Sequence, residues 1–503
     1  MLIDLTMDVS EKINAGIHAT IWPFMSCHLR LYISPLVSWL VAFLAMMPRF
    51  PQKPTSKSSS IVFEILCETA YIEILKLKGV IMTKQKSLVT LVLILVGILL
   101  ACGTSFAAEK AAKTKPIKIG VLFIASGPMG GYGKHGFQSV QMAVDEINAS
   151  GGILGRKVEA IYEDTKLKAD VATEIVKRFI EKDKVDFIIG PTSSGVAVPV
   201  AKLANEKKKI IVLTQAAANS MTDTGFGRYQ FATLSNAMMH SRSGAYYMAS
   251  KPYKRWMVIG PNYNYGHESW AAFKEKLKEL RPDVEFVGEV WPKLTEKEFK
   301  PFIEKIVEAK PDAVWSPLWG MDAVNFIKQA KEKQLFDKIA FAFPDGAALE
   351  TLIPLGKDMP NGIFVAARYF FLTPDTAINK KFVKMYQERF KELPDYMATE
   401  TYAGVYFIKA AIERAGTLNA DKIVTAVEKE PLAWETPEGW KIMRKEDHTV
   451  VEDVVWGETD YSDKFGFAIL KNMQAIQAEE ICRTPEELRA VRENFMKRIR
   501  PDN

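Results

Sequence analysis

From residue 115 onward, short apolar runs alternate with amphipathic stretches of helix length. Residues 117–125 are a mainly apolar run of strand length, and residues 137–148 place Val140, Met142, Ala143, Val144 and Ile147 on one broad helical face that Ser150, Gly151 and Gly152 close. Strands over 158–162, 185–190 and 210–214 then alternate with helices over 171–180 and 198–205. The pattern restarts after a strand at 229–234 and a helix ending near 250. Strands at 256–260, 284–290, 313–318 and 339–343 follow, interleaved with helices at 270–280, 299–309 and 322–331. A last section, 362–416, holds a strand at 363–367 and helices at 382–393 and 399–415. Such alternation calls for parallel sheets with helices on both faces, in two α/β units rather than one long sheet. Beyond it the alternation is lost, and 483–499 reads as a polar terminal helix.

The first 110 residues differ from the rest. Met82 opens a basic start with Lys84 and Lys86, an apolar run at 88–100 follows, and small residues lead to Ala107, so 82–107 reads as a secretory signal peptide. The run is shorter than the roughly 20 residues a membrane span needs. Two cleavage readings stand. The sequence LLAC, ending at Cys102, resembles a lipobox that would make Cys102 a lipid-bearing N-terminus, while Ser105, Phe106 and Ala107 suit ordinary signal peptidase. Because a signal does not belong at position 82, residues 1–81 are expected to come from translation upstream of the true start; the rival reading is a membrane anchor at 31–47, which carries Pro35.

With 503 residues the chain exceeds one ordinary core. The formal charge of +6 is spread along the chain rather than gathered into a basic stripe, which argues against nucleic acid as a partner. Four cysteines, Cys27, Cys67, Cys102 and Cys482, leave no internal disulfide expected in the exported body. The six histidines show no metal-ligand spacing, so no metal is expected, and His267 and His448 read as polar surface or loop residues.

The stretch GGYGKHG, residues 130–136, spells the glycine pattern of a dinucleotide-binding loop. It sits five residues beyond the end of the first strand, and the next acidic pair, Glu163 and Asp164, lies further on than the ~20 residues a ribose partner requires. A cofactor-dependent enzyme is therefore disfavoured. A hydrolase is disfavoured too, since no nucleophile elbow or convincing serine, base and acid set is present. The glycines are read instead as letting a loop fold over a cleft.

In open α/β sheets ligands sit beyond the carboxyl ends of the strands. The loop GPTSSG at 190–195 leads from a strand into a helix N-terminus, where free N–H groups and the dipole favour an anion, although Ser193 or Ser194 capping the helix would leave the same pattern.

Several stretches together carry a family resemblance: IKIGVLFIASGPMGGYG, AVDEINASGGILGRKVEAIYEDT, FIIGPTSSG, YGHE after WMVIGPN, and DAVWSPLWGMDAVNFIKQA. The chain resembles type I periplasmic solute-binding proteins of the branched-chain amino acid ABC-importer group over about 117–467. The resemblance implies an α/β fold of two doubly wound parallel-sheet lobes joined by three crossovers, with a small ligand in the cleft. Lobe 1 would comprise 115–235 plus 368–432, lobe 2 would comprise 236–367 plus 433–480, and 481–503 would be a polar tail. The crossovers would fall near 233–236, 364–368 and 432–437.

The resemblance also implies site residues. Tyr132 matches an aromatic that covers the ligand, and Ser194 a serine that binds a ligand carboxylate. Ala216, Ala217 and Asn219 lie where the family shows a small-small-threonine contact, but the threonine position is Ala218, a departure that removes a hydroxyl. Tyr265 matches a tyrosine that closes over the ligand, and Asp345 a carboxylate that pairs with a ligand ammonium; Pro344, Asp345 and Gly346 are equally a strong turn signal. Trp319 lies near a ligand-contacting aromatic, with Trp315 inside the strand as core, and the added aromatic bulk suits a larger or flatter side chain. The implied partners are an amino acid, amide or aromatic acid and the membrane permease of an ABC importer; no cofactor and no catalysis are implied. The location would be the periplasm or the outer face of the cytoplasmic membrane. A ligand-sensing receptor domain of the same fold is the alternative.

Overall fold

The computed structural model describes residues 115–499. The expected signal peptide at 82–107, Cys102 within it, and residues 1–81 lie outside the described residues.

The first sheet holds β1 (Ile117–Phe123), β2 (Val158–Asp164), β3 (Phe187–Ile189), β4 (Ile210–Leu213) and β5 (Gln230–Ala232), all parallel, in the order β2-β1-β3-β4-β5. Strands β3, β4 and β5 are buried along their whole length, and β1 except at Lys118. Helices cover both faces, which is why these strands read as apolar runs rather than alternating ones. The order reverses at β1, so a crevice opens beyond the carboxyl ends of β1 and β3.

The second sheet repeats the device. Its parallel strands β6 (Arg255–Ile259), β7 (Glu285–Val290), β8 (Ala313–Trp315), β9 (Ala340–Phe343) and β10 (Phe364–Ala367) run in the order β10-β9-β8-β6-β7. Trp256 and Trp315 are fully buried in a core with Trp270 and Phe273.

The remaining strands are antiparallel. A small sheet of β11 (Leu432–Thr436), β12 (Gly439–Met443) and β13 (Val450–Val451) stands alone, while β14 (Val454–Ser462) and β15 (Phe467–Ile476) extend the second sheet beside β10. Along β11 burial alternates, with Leu432, Trp434 and Thr436 inward. Leu432 and Trp434 join the core of the first lobe, with Ile117, Val121, Phe407 and Ile412.

This moves the third crossover. The chain leaves the first lobe between β13 and β14, at Glu452 and Asp453, not near 432–437, because the β11–β12 hairpin buries its apolar face in the first lobe's core. The chain passes from the first sheet to the second between β5 and the helix Ala237–Ala249, and leaves the second sheet again after β10. The terminal helix spans Pro485–Ile499.

Two local readings change. The first helix begins at Gly130, so the glycines of GGYGKHG lie in its opening turns rather than in a loop. A Cβ on Gly133 would stand 1.9 Å from the carbonyl oxygen of Ile124, and one on Gly136 would stand 2.7 Å from the Phe123 ring. The glycines thus let the helix end press against β1 despite their poor helix propensity. His448 is also no surface residue: it is fully buried, with its ring stacked 4.3 Å from that of Phe231. Burial holds its pKa down at about 4.

Candidate functional site

The loops that follow β1, β3 and β4 meet those that follow β6, β8 and β9. Between them lies a cavity of about 340 Å³, its open mouth included. Of the residues singled out in the sequence, Tyr132, Ser194, Ala217, Tyr265, Trp319 and Asp345 line it. Ala216 is buried just off the cavity. Asn219 turns away: its Oδ1 accepts the Met238 N–H at 2.6 Å, tying the loop after β4 to the helix Ala237–Ala249.

One wall is built of hydroxyls with protons to offer. Ser194 opens the helix Ser194–Glu206, and its Oγ accepts the Ala218 N–H at 3.0 Å. Thr192 Oγ1 accepts the Ile124 N–H at 3.3 Å. A backbone donor thus occupies a lone pair of each oxygen, leaving each O–H to donate. Among the described residues neither donates to a protein acceptor. Ser194 is the first residue of that helix, so its hydroxyl stands at the positive end of the helix dipole. Ser193, in the N-cap position, makes no side-chain cap bond.

Aromatic rings form the rest. Tyr132 meets Trp319 edge to face, ring centroids 5.0 Å apart at 81°, joining the first lobe to the second. The indole Nε1–H of Trp319 donates to Tyr263 Oη at 3.1 Å. Burial pushes the Tyr132, Tyr263 and Tyr265 hydroxyls above their usual pKa, so all remain neutral phenols. Further contacts hold the lobes together: the Leu349 N–H donates to Asp395 Oδ2 at 2.7 Å and the Ser220 N–H to Glu268 Oε2 at 3.1 Å.

Asp345 is already engaged. Tyr265 donates to its Oδ2, while its Oδ1 stands 3.5 Å from Arg368 Nε and 3.6 Å from His240 Nδ1. Arg368 lies just past β10, at the second crossover, with its guanidinium 4.1 Å over the Tyr396 ring and its Nη1 donating to Glu400 Oε2 at 3.3 Å. Burial opposes the Arg368 charge, but Glu400, Tyr396 and Asp345 together hold its pKa above the ordinary value. Burial also raises the Glu400 carboxyl despite Arg368, and lowers His240 to about 4. The result is one buried cation and one carboxylate facing each other at the cavity wall.

Thr192, Gln215, Tyr263, Arg368 and Tyr396 line the cavity without having been singled out. The first three stand in strand-following loops whose position alone marks them. Arg368 closes the expected crossover at 364–368, and a cation at a crossover is the signal that could have found it. Tyr396 starts the long helix Tyr396–Ala415 and carries no local signal.

The family model for periplasmic binding proteins matches residues 116–464. The chain is similar to the Leu/Ile/Val-binding protein BraC3 of Rhizobium johnstonii, 27% identical over 370 residues that cover 71% of this chain and 91% of that one. Two solved solute-binding proteins of ABC transporters from Rhodopseudomonas palustris share its fold. One, in complex with 3,4-dihydroxy benzoic acid, is 23% identical with a TM-score of 0.65, covering 72% of this chain and 98% of that one. The other, in complex with benzoate, is 22% identical with a TM-score of 0.64, covering 74% and 100%. A family model matched over more than half the chain, joined to two doubly wound lobes around an aromatic cavity, places the protein among the type I periplasmic binding proteins of the branched-chain amino acid group, which bind solutes and are not enzymes.

Proposed function

We propose that the protein is the extracytoplasmic substrate-binding component of an ABC importer, capturing an amino acid or related small carboxylate by closure of its two lobes and delivering it to the permease. The observation that carries the reading is the paired donation of Thr192 and Ser194 beside a helix N-terminus, at the wall of an aromatic cavity between lobes. A carboxylate accepts those protons, and the helix end adds N–H groups. Tyr132 from one lobe and Trp319 and Tyr265 from the other then cover the rest of the solute. Ala217 lines the cavity, and Asn219 fixes the loop that supports it. Swinging about the three crossovers excludes water and strengthens each polar contact. No bond of the solute changes.

The names of similar proteins support a carboxylate: Leu/Ile/Val in one, benzoic acids in others. Export through the signal at 82–107 would put the protein in the periplasm, and acylation of Cys102 would hold it at the outer face of the cytoplasmic membrane.

A thermal-shift screen of the purified protein against amino acids, aromatic acids, amides, polyols and nucleotides tests the reading. Stabilisation by one or more carboxylates is expected. Stabilisation by nucleotides alone would end the transport assignment.

A further inference from the structure

The cavity treats the two ends of an amino acid unequally. Its hydroxyl donors are free, while its one lining carboxylate accepts from Tyr265 and already stands within ion-pair distance of a guanidinium. Tyr265 takes Asp345 Oδ2, and Oδ1 faces both Arg368 Nε and His240 Nδ1. A ligand ammonium would have to share that carboxylate with a guanidinium that the fold fixes beside it, itself 4% exposed. Ala218, where the resemblance places a threonine, adds a methyl group and no acceptor.

The cavity does hold acceptors without partners, and both are uncharged. Gln215 Oε1 and Tyr132 Oη are buried with no hydrogen-bond partner. The orientation of the Gln215 amide is set from its other end, where Nε2 donates to the Tyr132 carbonyl at 3.2 Å. A buried polar atom left unpaired costs free energy, so Gln215 Oε1 calls for a donor in the occupied state and the Tyr132 hydroxyl for a partner of either kind. A neutral hydroxyl satisfies them. An ammonium would be a buried charge with no counter-ion of its own.

Building on the carboxylate role of Thr192 and Ser194 proposed above, we infer that the solute is a carboxylate bearing an uncharged hydrogen-bond donor, a hydroxyl, in place of an ammonium group. The hydroxyl meets Gln215 Oε1 and Tyr132 Oη while the carboxylate meets Ser194 and Thr192. Specificity then comes from the Arg368 guanidinium, which stands 3.5 Å from Asp345 Oδ1 and opposes a second cation at that carboxylate.

Isothermal titration calorimetry of the purified protein with three matched series decides the point. They are leucine, 2-hydroxyisocaproate and isocaproate; phenylalanine, 3-phenyllactate and 3-phenylpropionate; and 4-aminomethyl, 4-hydroxymethyl and 4-methyl benzoate. The carboxamide of the hydroxy member in each series is titrated as well. In the series that binds, the hydroxy acid is expected to exceed its ammonium counterpart at least tenfold in affinity and to exceed the unsubstituted acid. Equal or tighter binding of the ammonium member would overturn the inference and leave the carboxylate role standing. A carboxamide that binds as tightly as its acid would overturn the carboxylate role itself, and absence of binding by every acid up to 10 mM would overturn both.

Discussion

Replacing Ser194 by alanine removes one oxygen with two duties, and the two losses are read separately. Ser194 is 2% exposed, and its Oγ accepts the Ala218 N–H at 3.0 Å. Without it a buried amide hydrogen is left unpaired, at a cost of about 1 to 3 kcal/mol of stability. The same substitution removes the proton offered to the solute carboxylate. A hydrogen bond to a charged group contributes about 1.5 to 3 kcal/mol, so the dissociation constant should rise roughly ten- to a hundredfold. Alanine adds no volume, and the hydroxyl makes no cap bond for the helix Ser194–Glu206, so the helix itself is retained. Urea unfolding of the ligand-free protein measures the first loss, and calorimetric titration with the tightest carboxylate of the screen measures the second. Stability and affinity should both fall. A variant that unfolds at lower urea yet binds with unchanged affinity would refute the reasoning, because the hydroxyl would then only brace the loop after β4.

Trp319→Ala takes away a side chain that packs on Tyr132 across the cleft and donates to Tyr263, and is expected to lower unfolding stability by roughly 3 to 5 kcal/mol; loss of under about 1 kcal/mol in urea titration would show that the cleft closes without it. Burial raises the Asp395 carboxyl to about 7 while its oxygens accept the Tyr396 and Leu349 N–H groups at 2.7 Å each. Its folded pKa lies above the ordinary aspartate value of 3.8, so the stability this group contributes is full below that value and is lost as pH rises through about 7. Asp395→Asn, which cannot ionise, should gain on the wild type by about 1.4 kcal/mol for each pH unit from about 4 to 7. The gain is read as the difference in urea-unfolding free energy at pH 5, 6, 7 and 8; parallel curves would mean that Asp395 does not titrate in that window.

The inner strands among β1 to β10 were legible because parallel strands buried on both faces leave an apolar run that needs no partner to be recognised, whereas the edge strands β2 and β7 are only partly buried. The loops after those strands were legible for a topological reason, and six of the eight residues expected on the cavity stand there. Strands β11 to β15 were not. Trp434 and Leu432 alternate with exposed residues over too few positions to announce which lobe they serve, and only their contact with Phe407 and its neighbours assigns them. His448 shows the same limit: a polar residue between turns reads as surface, and its burial depends on Phe231 arriving from another strand.

By itself the sequence determined the succession of strands and helices, the two-lobed class and the loops where a ligand would be met, since these follow from local periodicity and from the rule that crevices open beyond strand ends. The tertiary structure alone decided which charges are free. Asp345, Arg368 and Glu400 come from three separate segments, and nothing in their spacing says that the first two confront each other while Gln215 and Tyr132 keep unpaired oxygens. A charge acquires its role from its neighbours at a few ångströms in a medium of low dielectric constant, and that neighbourhood exists only once the lobes are packed.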